Sequence, residues 1–192
     1  MRAAVWLLLL CGTSTLGGCS RNEPRDDCGQ GTRVVDPVLL AFLSKARSAH
    51  HLADQHEAKG DRPAALRALE GLVAGAVPPS PSPEVDEVLA DTRARMADLM
   101  SEAGRFDQAD AEISQGLQHA KSPTYFRGHL FEVRGLVEER REKALRSKGR
   151  GQEADQAHTR SLDAYEAAMK IQAEVIGAAV PAPSPSAAPP VP

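Results

Sequence analysis

Hydrophobic residues recur along most of this chain at spacings of three and four, the period of an α-helix. The clearest stripe starts at Val85 and continues through Leu89, Met96 and Leu99. No stretch alternates apolar and polar residues at the period of two that a half-exposed strand needs. The pattern therefore predicts an all-α chain. Its six predicted helices cover residues 37–59, 63–74, 83–103, 107–120, 123–148 and 152–178.

Four prolines mark predicted helix starts: Pro37, Pro63, Pro83 and Pro123. Proline suits the first helical position because the N–H that it lacks would have no helical partner there. An Asp or Ser stands one or two residues before each of them and is expected to cap the free amides. In the last helix, we expect one apolar stripe to face the core. It comprises Ser161, Leu162, Tyr165, Ala168, Met169 and Val175.

Ten of the 14 prolines lie in two short stretches, residues 78–83 and 181–192. The first stretch predicts a loop between helices. The second predicts an extended, polyproline-like and largely disordered tail over residues 179–192, because its composition cannot build a core. The polar residues 19–36 predict a flexible tether. The helical domain then spans residues 37–178.

Two of the predicted helix pairs share a spacing of small residues around a turn glycine. Ala53 and Ala65 flank Gly60 at the same offsets at which Ala97 and Ala109 flank Gly104. The unit resembles the tetratricopeptide repeat, a helix–turn–helix of 34 residues. This resemblance implies three antiparallel helical hairpins stacked into an α-solenoid over residues 37–178.

The resemblance is incomplete in two respects. No Trp occupies the usual first-helix position, and a Pro loop separates the first two units. In the third hairpin, Gly135 and Ser161 match the small positions but lie farther apart in the chain. We therefore expect longer arms there, with the tip at residues 147–151.

In the tetratricopeptide family, the first helices of successive units line a groove that binds peptides or protein segments. The corresponding positions here are His50, Asp54, Glu57, Asp91, Asp98, Glu102, Glu132 and Glu139. All but one are acidic, so the resemblance implies a protein or peptide partner that carries Lys or Arg. The alternative is that these residues form an ordinary solvated helix face.

The amino terminus has the three-part layout of a secretory signal. Arg2 precedes the apolar residues 3–10, and the run ends in Leu16-Gly17-Gly18-Cys19. This arrangement resembles a bacterial lipoprotein signal with its lipobox. The resemblance implies that residues 1–18 are removed after Gly18, and that Cys19 carries a diacylglycerol and an N-acyl chain.

Two alternatives to the lipoprotein signal remain open: a membrane-spanning segment and a plain signal cut elsewhere. If Cys19 is lipidated, Ser20 follows it in place of the Asp that favours inner-membrane retention in many Gram-negative bacteria. The expected location is then the cell envelope, at the outer membrane and facing the periplasm. Cys28 would remain as a single thiol, either as an incidental tether residue or in an intermolecular disulfide.

The charge and motifs exclude several function classes. The net charge of −3, which becomes −4 when residues 1–18 are removed with Arg2, does not favour nucleic-acid binding. His50, His51 and His56 cluster near Asp54 but lack a metal-binding spacing, so an exposed polar face is the preferred interpretation. No phosphate loop or nucleophile motif occurs, and we predict no cofactor and no enzymatic activity.

The sequence therefore predicts a lipid-anchored, tetratricopeptide-like lipoprotein that acts as a protein–protein interaction adaptor, for example in the assembly of an envelope complex. One alternative is a structural helical lipoprotein or spacer without a peptide groove. Another is a module that binds cell-wall glycan.

Overall fold

A computed structural model describes residues 36–180 of the chain. This part is all-α, with six helices and no strand. The helices are α1 (Pro37–Glu57), α2 (Arg62–Val73), α3 (Pro83–Glu102), α4 (Phe106–His119), α5 (Tyr125–Ser147) and α6 (Gly151–Ala179). All six predicted helices are present. The predictions for the signal, Gly18, Cys19, Cys28, the tether and residues 181–192 lie outside the described residues.

The predicted caps hold at the first two helices. The Asp36 carboxylate accepts a hydrogen bond from the amide of Val38 at 2.8 Å. The Asp61 carboxylate likewise accepts from the amide of Ala64 at 3.0 Å. At α3 the cap prediction is wrong, because the Ser82 hydroxyl donates to the Glu84 carboxylate and caps no amide.

The predicted start of α5 at Pro123 is also wrong, since the helix begins at Tyr125. Thr124 is the N-cap: its backbone is extended and its hydroxyl accepts from the amide of Arg127 at 3.3 Å. A cap residue needs a non-helical backbone and a side-chain acceptor. Thr124 supplies both, so Pro123 stays outside the helix.

Three glycines with left-handed backbones end α1, α3 and α5: Gly60, Gly104 and Gly149, with φ between 72° and 75°. At each one, the amide of the following residue donates to the carbonyl five residues earlier, as in the bond from Arg105 to Met100 of 2.9 Å. This is the Schellman arrangement, which favours glycine because a Cβ is strained at positive φ. The same turn therefore connects α1 to α2, α3 to α4 and α5 to α6.

Large apolar side chains fill the space among α1 to α5. Leu69, Ile113, Leu130 and Val137 are essentially inaccessible to solvent, and Met96 lies among them at 2% exposure. Each helix packs on its neighbour in the chain, while α3 also contacts α1, α2 and α5, and α4 contacts α5. The core thus lies around α3.

The α5–α6 interface is built differently, and the predicted stripe of α6 is partly wrong. Its buried residues are Ala154, Ala157, Ser161, Ala164 and Ala168, whereas Leu162 and Met169 are exposed. The cause is close approach: a Cβ added at Gly135 of α5 would lie 2.5 Å from the Tyr165 ring. Apart from the Tyr165 ring, which lies over Gly135, the α6 residues buried against α5 are alanines and a serine, and Leu162 and Met169 face outward.

None of the described helices combines the length and apolar character that crossing a membrane requires.

Candidate functional site

We call the eight predicted residues of α1, α3 and α5 the acidic face: His50, Asp54, Glu57, Asp91, Asp98, Glu102, Glu132 and Glu139. At its α1–α3 end, Arg95 of α3 reaches across to α1. It donates to the Asp54 carboxylate at 2.6 Å, to the Glu57 carboxylate, and to the backbone carbonyl of His50 at 3.3 Å. Burial opposes the charge of Arg95, but its hydrogen bonds to Glu57 and Asp54 dominate and raise its pKa. One arginine therefore holds three of the predicted residues together.

A second arginine connects α3 to α5. Arg140 of α5 donates to the Asp98 carboxylate at 2.5 Å and to the Ser101 hydroxyl at 2.6 Å. It also lies 3.6 Å from the Glu102 carboxylate, which in turn accepts from Arg62 of α2 at 2.7 Å. Ser101 is 2% exposed, so this contact anchors the guanidinium against the core. Asp98 and Glu102 are thereby brought together.

Glu139 lies at the α6 edge of the face, where its carboxylate accepts from the Tyr165 hydroxyl at 2.9 Å. Burial raises the pKa of Tyr165 to about 12, with Glu139 and Glu132 adding to the effect. Both carboxylates therefore lie near this phenol. Glu132 is half exposed, and its one ion-pair neighbour in the described part of the chain is His129 at 3.4 Å.

His50 stands where α1 meets α3. Its Nε2 lies 2.9 Å from the hydroxyl oxygen of Thr92, a fully buried residue. The single proton of that hydroxyl is donated to the carbonyl of Val88, so Nε2 of His50 must be the donor to Thr92. Burial lowers the pKa of His50, although nearby Asp91 opposes this shift. At neutral pH the imidazole is therefore a neutral structural link between two helices.

The structure joins the eight residues into one continuous region, but many of their charges are paired. The group holds seven carboxylates, of which Asp54, Glu57, Asp98 and Glu102 pair with an arginine. Counting the three arginines, Arg62, Arg95 and Arg140, its formal charge is −4. Asp91 forms no hydrogen bond or ion pair within residues 36–180, and Glu132 meets no arginine there. Within that range, Glu139 is bonded only to the uncharged Tyr165 hydroxyl, so the negative charge that no arginine neutralises lies on Asp91, Glu132 and Glu139 of α3 and α5.

Sequence reasoning missed Arg95, Arg140 and Tyr165 as members of this region. For Arg95 a signal was present, because it lies four residues after Asp91 and three before Asp98, on the same helical stripe. Arg140 directly follows Glu139 and would be assigned to a neighbouring stripe. Its contact with Asp98 depends on how closely α5 packs on α3, which no local spacing shows.

A separate cleft of about 450 Å³ lies against α4, α5 and α6. Its charged lining is mostly paired internally: Arg160 donates to Glu138 at 2.8 Å, and Arg141 contacts Asp110. Burial raises the pKa of Asp110, and Arg141 opposes that shift. Glu138 is 4% exposed, so these pairs serve to hold a buried carboxylate.

Residues 36–180 contain no group of three or more His, Cys, Asp or Glu side chains arranged to hold a metal ion. Comparison of the whole chain with protein-family models, curated proteins and solved structures gives no match. The acidic face can therefore act by electrostatic attraction. Fixed carboxylates on three helices attract cationic side chains, and arginine bonds between the helices keep those carboxylates in place.

Proposed function

We propose that this chain is a lipid-anchored, periplasm-facing adaptor whose acidic face binds a basic segment of a protein partner. The observation that carries the proposal is the continuity of this face across α1, α3 and α5, with Asp91 and Glu132 free of arginine partners. A basic segment laid across the face would pair with these two carboxylates. Charge complementarity of this kind favours fast association and selects against acidic partners.

We further propose that the six helices form a tetratricopeptide-like array of three hairpins. Supporting this, all eight residues of the acidic face lie on α1, α3 and α5, the first helix of each consecutive pair. The turn glycines recur at 60, 104 and 149 with one hydrogen-bond pattern. These intervals exceed the 34 residues of the family unit. The units would therefore be enlarged, by the Pro loop in one case and by longer helices in another.

The anchor is proposed from the run Leu16–Cys19. Two acyl chains would give stable attachment, whereas one gives only marginal binding. Labelling with a fatty-acid analogue is expected to mark the chain and to fail with Cys19→Ser. Persistent label on the Cys19→Ser chain would exclude Cys19 as the lipid site. Fractionation of the labelled envelope then tests the outer membrane as its location.

The binding proposal is tested with Asp91→Asn combined with Glu132→Gln. We expect these changes to weaken binding of Lys/Arg-rich peptides about tenfold, because two unpaired carboxylates are lost, and to reduce its salt dependence. The matched control is Glu70→Gln with Asp163→Asn. It removes the same charge from α2 and α6, at residues that form no ion pair in the described range. Equal weakening by both pairs would show that only net charge matters, and would contradict a defined face.

The second candidate function is a structural spacer without a peptide groove. It is favoured by the contacts of Arg95 and Arg140, which already occupy five of the eight predicted positions. If this function is correct, a photo-crosslinker at position 132 will capture no protein in the envelope beyond the amount captured from position 70. Retention of cell-wall fragments by the wild-type chain, unaffected by Asp91→Asn and Glu132→Gln, would instead favour the glycan-binding alternative.

A further inference from the structure

A polar cleft of about 430 Å³ lies where the α3–α4 turn meets the tip of the α5–α6 hairpin. Its volume is within the range of clefts that bind small ligands. The lining includes Gly104 and Phe106 from the start of α4, and Leu145 and Lys148 from the end of α5. None of the eight residues of the acidic face lines it, so this cleft is a separate feature of the molecule.

Cationic side chains outnumber carboxylates in the lining of this cleft. The two carboxylates belong to Asp107 and Glu153. Four cations against two carboxylates give the lining a formal charge of +2, although the whole chain carries −3. The cations are Arg141, Lys148, Arg150 and Arg160.

Two of these cations are held in place by carboxylates outside the cleft. Arg160 donates to Glu138, which is 4% exposed, at 2.8 Å. Arg141 donates to Asp110, and its guanidinium carbon lies 5.5 Å from the centre of the Phe106 ring. Glu138 and Asp110 line the 450 Å³ cleft against α4, α5 and α6 but not this one. Both guanidinium groups are thus ordered before a ligand binds, which lowers the entropy cost of binding.

The cations of the cleft retain N–H groups for a ligand. A guanidinium has five N–H donors, of which Arg160 uses one on Glu138. The carboxylate of Asp107 lies 3.5 Å from Arg141 and is 97% exposed, so a ligand can displace it. The side chain of Lys148 is exposed and forms no hydrogen bond or ion pair within residues 36–180. Donors from α5, the hairpin tip and α6 are therefore available at one place.

The two helices that begin at this cleft add to its positive potential. Arg105 and Arg150 are the N-cap residues of α4 and α6, and neither side chain can accept a hydrogen bond from the first amides. By contrast, Asp36, Asp61 and Thr124 supply such acceptors at α1, α2 and α5. Uncapped amides and the positive end of the helix dipole favour an anion beside the four cations.

A phosphate monoester matches these donors better than a carboxylate does. It carries a charge of about −1.5 to −2 near neutral pH and has three strong acceptor oxygens. A carboxylate carries a single charge on two oxygens, which is too few to engage α5, the hairpin tip and α6 together. Arginine also binds phosphate through paired, charge-assisted N–H···O bonds.

We propose that this cleft binds a phosphate monoester through Arg141, Lys148, Arg150 and Arg160. The side chains of Phe106 and Leu145 then contact the organic part of the ligand. A soluble phosphate monoester and a lipid headgroup share this chemistry. The inference does not depend on the acidic face or on the lipid anchor.

The test is equilibrium dialysis of phenyl phosphate against the full chain. Lys148→Gln with Arg150→Gln removes two exposed cations and leaves both arginine partners of Glu138 in place, and we expect binding about tenfold weaker. The matched control is Lys59→Gln with Arg67→Gln, which removes the same charge from exposed positions. Lys59 precedes the turn glycine Gly60 as Lys148 precedes Gly149. We expect this control to change the affinity less than about twofold, because its charges lie outside the cleft.

Glu153→Gln should have the opposite effect. The Glu153 carboxylate accepts from Arg150 at 2.6 Å and so competes with the ligand for that cation. We expect phenyl phosphate to bind about threefold more tightly to this variant, because a repulsive charge is lost and a donor is released. Glu70→Gln on α2 is the control, and it should leave the affinity unchanged.

Three results would overturn the proposal. The first is no binding of phenyl phosphate at about 10 mM. The second is equal weakening by the two double variants, which means that only net charge matters. The third is benzoate binding as tight as that of phenyl phosphate, which means that the cleft does not select phosphate.

Vesicles that contain phosphatidic acid distinguish the two sources of the phosphate group. Displacement of phenyl phosphate by these vesicles, but not by phosphatidylcholine vesicles, supports the proposal with a lipid headgroup as the ligand. Binding of phenyl phosphate that neither kind of vesicle displaces supports it with a soluble phosphate monoester.

Discussion

The interior around α3 and the α5–α6 interface differ in the size of the side chains that they bury. Around α3, large side chains such as Leu69, Met96 and Ile113 fill the space between helices. Between α5 and α6, the buried residues of α6 are alanines and a serine, and Gly135 admits the Tyr165 ring. In the first region burial of large side chains provides the stability. In the second, close approach of the helices provides it and leaves large apolar residues outside.

The largest effect is expected where volume is removed from the α3 region. Leu69→Ala deletes a fully buried side chain and is expected to lower the free energy of unfolding by about 2–5 kcal/mol through lost burial and a residual cavity. Leu162→Ala on α6 is the control, with an expected loss below about 1 kcal/mol because Leu162 is half exposed. Urea unfolding measures both. Similar losses would mean that the two regions do not differ as described.

The α5–α6 interface should respond to added volume instead. Gly135→Ala would place a Cβ against the Tyr165 ring and is expected to destabilise by about 1–3 kcal/mol, partly offset by helix propensity. Gly71→Ala is the matched control, since no atom lies within 4 Å of its added Cβ. That change is expected to stabilise by about 0.4–1 kcal/mol. A stabilising Gly135→Ala would show that the interface has room.

The third-largest loss of stability is expected at the contact between Arg160 of α6 and Glu138 of α5. Arg160→Met removes the 2.8 Å bond to Glu138 and leaves that buried carboxylate with Arg141 at 3.7 Å. We expect a loss of about 1–2 kcal/mol, because a buried charge loses its best donor. Arg150→Met breaks a pair exposed on both sides, so we expect a clearly smaller loss of stability than in Arg160→Met. The midpoints of thermal unfolding of the two variants are compared. Equal decreases in the midpoint would contradict a special role of the buried Glu138 contact.

The smallest expected effect is the pH response of the α1–α3 contact. Burial lowers the pKa of His50 in the folded chain, with Asp91 and Asp54 opposing the shift and Arg95 adding to it. The folded state therefore binds fewer protons than the unfolded state below the ordinary pKa of about 6.5. Stability is retained above that value and falls as pH drops from 7.5 to 5.5.

His50→Gln keeps a donor for Thr92 but does not titrate, so the fall in stability should be smaller in this variant. Urea midpoints at both pH values measure the difference. The other histidines are common to the two chains and cancel in the comparison. An identical fall in both chains would show that His50 does not contribute to it.

Much of the fold was predictable because its signals are local. Pro37, Pro63 and Pro83 lie at or next to the first residue of a helix, and Gly60 and Gly104 end one. These residues act through their own backbone geometry, which is independent of distant contacts. At Pro123 the same rule was wrong because Thr124, the next residue, is the better cap.

The candidate site was only half predictable. Helical spacing placed Asp91, Asp98 and Glu102 on one side of α3, and Arg95 shares that stripe. The pairing of Arg140 with Asp98 depends on the approach of two helices that lie about forty residues apart in the chain. The outward turn of Leu162 and Met169 likewise depends on the spacing between α5 and α6.

By itself, the sequence determined six helices, their turns and an excess of acidic residues on α1, α3 and α5, because propensity, capping and periodicity act over a few residues. The tertiary structure alone decided which carboxylates have an arginine partner and which side of α6 is buried. Both depend on distances between helices, set by side-chain volumes that meet only when the chain is folded. Asp91 and Glu132 stand free of arginine for this reason, and Leu162 and Met169 face outward.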